Sequence, residues 1–196
     1  MVDHIAGKVI MITGAAGGFG RLVAEKTLAR GARVVAVDVD EAGLATLGEG
    51  SHAESGLVLK EVADVRDRSQ MAAAALRAEE QFGCIDVLVN NAGVMPLAFF
   101  ADHADAAEAW ERCIDINFKG VLNGIIAVYD QMIAQGEGHV VNISSIAGTG
   151  GNAGQANYSA GKAGVLGLTK AMSKEWGRYN VTVNAVAVGL IRTRLT

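Results

Sequence analysis

The chain has almost no proline or cysteine, no long apolar run and no excess of positive charge. A single proline against 25 glycines argues for tight turns and close helix packing rather than extended linkers. Its two cysteines, Cys84 and Cys113, are too few and too far apart for a disulfide framework or a metal clip. Reduced thiols in a cytoplasmic protein are the expectation. His4, His52, His103 and His139 have no metal-ligand spacing, so no metal is expected. No apolar stretch reaches the ~18 residues that a membrane crossing needs. Met1-Val-Asp-His4 lacks the basic head and apolar run of a signal peptide. The net charge is −4 with scattered lysines and arginines, which excludes the electrostatic footprint of a nucleic-acid partner.

What is present is the composition of a folded domain. Apolar residues make up 51% of the 196 and charged ones 19%, too apolar for disorder. That length suits one domain over residues 1–196 with a substantial core. Short apolar runs at 8–13, 33–38, 57–62, 85–90, 139–144 and 181–186 read as strands. Helical patterns fill 19–30, 69–82, 106–135 (one long helix or two joined) and 157–176. Strands apolar on both faces and separated by helices predict a doubly wound parallel sheet, a three-layer α/β/α sandwich of Rossmann type. Run 57–62 is the most polar, as an edge strand would be.

Two motifs carry chemistry. Thr13-Gly-Ala-Ala-Gly-Gly-Phe-Gly20 follows the first strand and opens a helix, so its glycines allow a sharp turn and close backbone approach to a pyrophosphate. Asp38 closes the second strand, eighteen residues beyond Gly20, where a carboxylate accepts from ribose hydroxyls and repels a 2′-phosphate. NAD is therefore expected over NADP. Tyr158-Ser-Ala-Gly-Lys162 puts a phenol and an ammonium at i and i+4 on one helix face. Ser144-Ser145 ends an apolar strand upstream.

In these motifs and their order the chain resembles the short-chain dehydrogenase/reductase family, over about residues 7–196. The resemblance implies that Gly14, Gly17, Gly18, Phe19 and Gly20 form the pyrophosphate turn and that Asp38 selects NAD. It implies adenine contacts at Asp64 and Val65, and a cofactor border at Asn91, Ala92 and Gly93 within Asn90-Asn-Ala-Gly93. It implies a catalytic tetrad of Asn117, Ser145, Tyr158 and Lys162, with Tyr158 and Lys162 also against the cofactor and Ile191 and Thr193 at the nicotinamide. Ser145 is taken over Ser144 because it lies thirteen residues before Tyr158. The run Gly150-Gly-Asn-Ala-Gly-Gln-Ala-Asn-Tyr158 is similar to the 3-oxoacyl-acyl-carrier-protein reductases, whose biosynthetic role usually goes with NADP. The family likeness further implies a small alcohol or ketone substrate and a homo-oligomer, dimer or tetramer. It also implies a substrate lid and a last strand beyond Thr196.

A free tyrosine, with a pKa of about 10, is a poor base at neutral pH. An ammonium about 6 Å away is expected to bring Tyr158 down toward the working pH. The reaction expected is hydride transfer between NAD(H) and a secondary alcohol or ketone, with Tyr158 as general acid/base. The alternative is a dinucleotide-binding subunit without turnover. Val188 stands where relatives usually have proline, which predicts a looser turn after the last strand.

Overall fold

In the computed structural model, residues 3–48 and 56–190 are described. Six strands, β1 (Val9–Thr13), β2 (Arg33–Asp38), β3 (Val58–Val62), β4 (Val87–Asn90), β5 (Gly138–Ser145) and β6 (Val181–Val188), form one sheet in the order β3-β2-β1-β4-β5-β6. All five pairings are parallel. This is the doubly wound sheet expected, with β3 at one edge. Strand order reverses between β1 and β4, and such a switch point leaves a crevice at the strands' C-terminal ends.

Helices cover both faces: α1 (Gly18–Leu28), α2 (Glu41–Ala45), α3 (Arg68–Phe82), α4 (Ala107–Ile114), α5 (Gly120–Gln135), α6 (Ala147–Gly150) and α7 (Ala156–Trp176). The continuous apolar run of β1 follows from this two-sided burial. Val9 and Met11 pack with Met71, Ile125 and Val165 of α3, α5 and α7, whereas Ile10 and Ile12 pack with Ala24, Leu28 and Leu44 of α1 and α2. Each such aliphatic side chain contributes about 1.5–3 kcal/mol on burial. Edge strand β3 carries a buried Glu61, which the Arg77 guanidinium of α3 neutralises.

The helical pattern at 106–135 resolves into α4 and α5, joined by a π-helical turn at Asp115–Lys119. β6 runs two residues past its expected end, and Val188 pairs in register with Ser145. Ile146 N–H donates to Val188 O at 3.0 Å, so the strand end beside Ser145 is tied down. A buried amide chain fixes α7 against the sheet: Asn90 Nδ2 donates to Asn142 Oδ1 at 2.9 Å, and Asn142 Nδ2 to Thr169 Oγ1 at 3.0 Å. Among the described residues no helix is long and apolar enough to cross a membrane.

Candidate active site

The crevice at the switch point is a cavity of about 630 Å³. One wall is the turn between β1 and α1, with Gly14, Gly17, Gly18 and Phe19. Gly14 and Gly18 hold positive φ, +68° and +54°, which glycine adopts without strain. A Cβ at Gly18 would meet no atom within 4 Å, so this backbone lies open to the cavity. Gly17 caps α1 without a side-chain bond, and the first turn has no acidic residue. Free N–H groups and a positive helix end therefore face a cavity that fits an anionic diphosphate. Gly20 does not line the cavity. A Cβ there would fall 2.2 Å from Gly14 O, so this glycine lets α1 pack against the turn.

Asp38, at the end of β2, lines the same cavity. Its carboxylate is oriented by two backbone donors, Ala16 N–H and Asp40 N–H, each at 3.0 Å. Asp64 and Val65 form the next part of the wall, but the Asp64 carboxylate is already engaged by Arg66 at 2.6 Å. The Arg66 bond lowers the Asp64 pKa against a smaller opposing effect of burial. Asn91, Ala92 and Gly93 complete the run after β4. Thr13 Oγ1 accepts from the N–H of both Asn91 and Ala92 at 3.0 Å, while Asn91 Nδ2 donates to Thr13 O at 2.9 Å. The ends of β1 and β4 are thereby locked together.

Gly93 joins this cavity to the four polar residues picked from the sequence. A Cβ on it would lie 2.7 Å from Asn117 Oδ1 and 3.7 Å from Lys162 Nζ. Asn117 sits in the π-helical turn, fully buried, with Nδ2 donating to Val94 O at 2.7 Å and Cys113 O at 2.9 Å. The wider turn is what brings its carboxamide to the sheet's end. Lys162 is buried and donates to Ile143 O at 2.7 Å, and its ammonium lies 5.7 Å from the Tyr158 ring centroid. Ser144 and Ser145 divide their work. Ser144 Oγ donates to Lys162 O at 2.9 Å and anchors α7, whereas Ser145 Oγ accepts from Ala147 N–H at 3.2 Å beside the phenol.

The electrostatics correct one expectation. Burial raises the Tyr158 pKa above its ordinary value, and the Ser145 hydroxyl offsets this in part. Burial also lowers Lys162 to about 8. Desolvation is the largest cause for both groups, because each is withdrawn from water and so favours its neutral form.

Wall residues that were not anticipated include Glu108, Arg112 and Ile116. Their spacing of four puts them on one helical face, which was readable only once the cavity was known. Ile191 and Thr193 lie outside the described residues.

The short chain dehydrogenase family model matches residues 8–196. The chain belongs to that family. It is 41% identical over 193 residues to a 3-oxoacyl-acyl-carrier-protein reductase of Thermotoga maritima, a match covering 98% of this chain and 78% of that one. It is 40% identical over 191 residues to levodione reductase of Leifsonia aquatica, covering 95% and 70% respectively. A solved short-chain dehydrogenase/reductase from Burkholderia phymatum in complex with NAD superposes with a TM-score of 0.92 at 32% identity, over 99% of this chain and 69% of that one. As a member of this family the chain is an oxidoreductase.

Proposed function

We propose that this short-chain dehydrogenase transfers hydride between NAD(H) and a secondary alcohol or ketone, with Tyr158 as general acid/base. The observation that carries the reading is the meeting of Lys162 and Asn117 at Gly93, one helical turn from Tyr158, at the edge of a cavity fit for a dinucleotide. NAD(H), when bound, accepts or supplies the hydride. Backbone N–H groups of Gly14, Gly17, Gly18 and Phe19 would hold its diphosphate, and Asp38 its adenosine ribose. Asp64 and Val65 would flank the adenine, with Asn91, Ala92 and Gly93 beneath. The preference for NAD over NADP rests on Asp38, whose carboxylate lines the cavity and would repel a 2′-phosphate. Two of the similar solved structures are NAD complexes.

Tyr158 gives its proton to the carbonyl oxygen during reduction and takes it back during oxidation. Its raised pKa keeps the phenol protonated at neutral pH, which suits the acid role. Ser145 donates a hydrogen bond to the same oxygen and stabilises the charge that develops there. Lys162, when protonated, stabilises the phenolate, and Asn117 holds the turn that faces it. The same reading makes the protein a cytoplasmic homo-oligomer, a dimer or tetramer, in which α5 covers its exposed Ile126 and Tyr129.

Fluorescence titration with NADH and NADPH, followed by a ketone-reduction assay, tests the proposal. Tighter binding of NADH and NADH-dependent reduction are expected. Preference for NADPH, or no turnover of any ketone or alcohol by NADH-bound protein, would refute it.

A further inference from the structure

We infer that Asn123 is a positioning residue for the cofactor: it holds the backbone of Val65 and Arg66 where the adenosine half of the dinucleotide needs a wall. The inference rests on the NAD(H) reading above. Val65 and Arg66 line the cavity on the turn that follows β3, and Val65 is buried there. Asn123 lies on α5, 58 positions from Val65, and belongs to neither of the two motifs that carry the chemistry.

Asn123 Nδ2 donates to Val65 O at 2.8 Å and to Arg66 O at 3.2 Å. One carboxamide thereby spends both of its N–H groups on two successive carbonyls of the turn. Asn123 is only 7% exposed, and its bond to Val65 O is buried, so water does not stand in for the lost donor. In a helix interior asparagine is neutral to unfavourable for the helix itself. Here the side chain serves the neighbouring turn rather than its own helix.

The two ends of the turn are fixed by other means. Ala63 N–H donates to Asp38 O at 3.0 Å, and the Asp67 carboxylate caps α3 by accepting from Ser69 N–H and Gln70 N–H. Between these ends Val65 rests on Gly120 of α5, where a Cβ would fall 2.7 Å from Val65 Cγ2. Ile116, Gly120 and Asn123 follow at helical spacing, so one face running from the π-helical turn into α5 does three things. Ile116 lines the cavity, Gly120 seats the Val65 side chain, and Asn123 holds the Val65 and Arg66 carbonyls. Without the carboxamide those carbonyls lose their donor and the middle of the turn relaxes. A binding wall keeps its place only as well as the bonds behind it do.

Titration of wild type and Asn123→Leu with NADH and with AMP tests this, since AMP carries only the adenosine half. Both dissociation constants are expected to rise by ~10-fold, and by the same factor within about twofold, because the loss sits in the half that the two ligands share. A general loosening of the cavity would weaken NADH, which spans it, more than AMP. Affinities unchanged in a folded variant, or NADH weakened with AMP unaffected, would overturn the role of Asn123 and leave the NAD(H) reading intact. No binding of NADH by the wild type would overturn both. Should Asn123→Leu not fold, the wild-type protein decides by NMR. The Asn123 side-chain amide protons are expected to exchange slowly with water and to shift on addition of AMP, and fast exchange or no response to bound AMP would overturn the inference.

Discussion

Lys162 Nζ stands 5.7 Å from the centroid of the Tyr158 ring, and burial drives both groups toward their neutral forms. The lysine pKa falls to about 8, below the ~10.4 of an unfolded chain. Below pH 8 both states carry the proton. Between about pH 8 and 10.4 the unfolded chain binds more protons, so stability linked to this group rises with pH. At pH 7 the folded protein carries a costly buried charge.

Lys162→Met is accordingly expected to stabilise the cofactor-free protein at pH 7 by about 1–2 kcal/mol, with the gain shrinking as the pH approaches 10. Urea unfolding at the two pH values checks this. A variant less stable than wild type at pH 7 would mean that the Ile143 hydrogen bond outweighs desolvation.

Asp38 joins two turns as well as facing the cavity. Asp38→Ala leaves the N–H groups of Ala16 and Asp40 without their acceptor, an expected loss of about 1–3 kcal/mol in denaturant unfolding. The preference for NADH over NADPH, measured as a ratio of dissociation constants, is expected to fall by at least ~10-fold, equivalent to about 1.4 kcal/mol.

Gly20 and Gly18 give opposite outcomes for one substitution. Gly20→Ala forces a Cβ into Gly14 O and Asn91 Nδ2 and is expected to prevent folding or to cost several kcal/mol. Gly18→Ala meets open space and costs about 1–2 kcal/mol for its left-handed backbone. Its new methyl group narrows the approach to the turn, so NADH affinity falls more than stability does.

Asp86 lies at the opposite end of β1. Burial pushes its carboxyl up, but the Val9 N–H at 2.7 Å and the Lys8 ammonium at 2.9 Å together bring it below the ordinary value. Its stabilisation is present above the unfolded pKa of ~3.9 and is lost as the pH falls through the folded value. Asp86→Asn is expected to cost about 2 kcal/mol at pH 7 and to flatten the acid limb of the stability curve, read by unfolding from pH 7 to pH 3.

The sheet was legible because strands buried on both faces read as plain apolar runs, as Val9–Thr13 and Arg33–Asp38 do. The cavity's glycine wall and Asp38 were legible for a related reason: backbone approach leaves a trace in residue type. The short helix α2 and the π-helical turn under Asn117 were not. Five-residue elements give too little periodicity, and the turn's width depends on how α4 and α5 pack. The direction of the Tyr158 shift was misjudged from sequence, because spacing reports the charge partner and says nothing of burial. Asn123 and Val65, 58 positions apart in the chain, meet through helix packing, and a mid-helix asparagine shows nothing of the carbonyl it will reach.

The most direct test follows deuterium from C4-deuterated NADH into a ketone, in wild type and in Tyr158→Phe. The wild-type protein is expected to deliver the label to the carbinol carbon. The variant is expected to bind NADH with affinity within about threefold of wild type and to lose ~10²–10⁴ in rate, the usual range for a general acid. Transfer by Tyr158→Phe at the wild-type rate, or no transfer by NADH-bound wild type, would contradict the account.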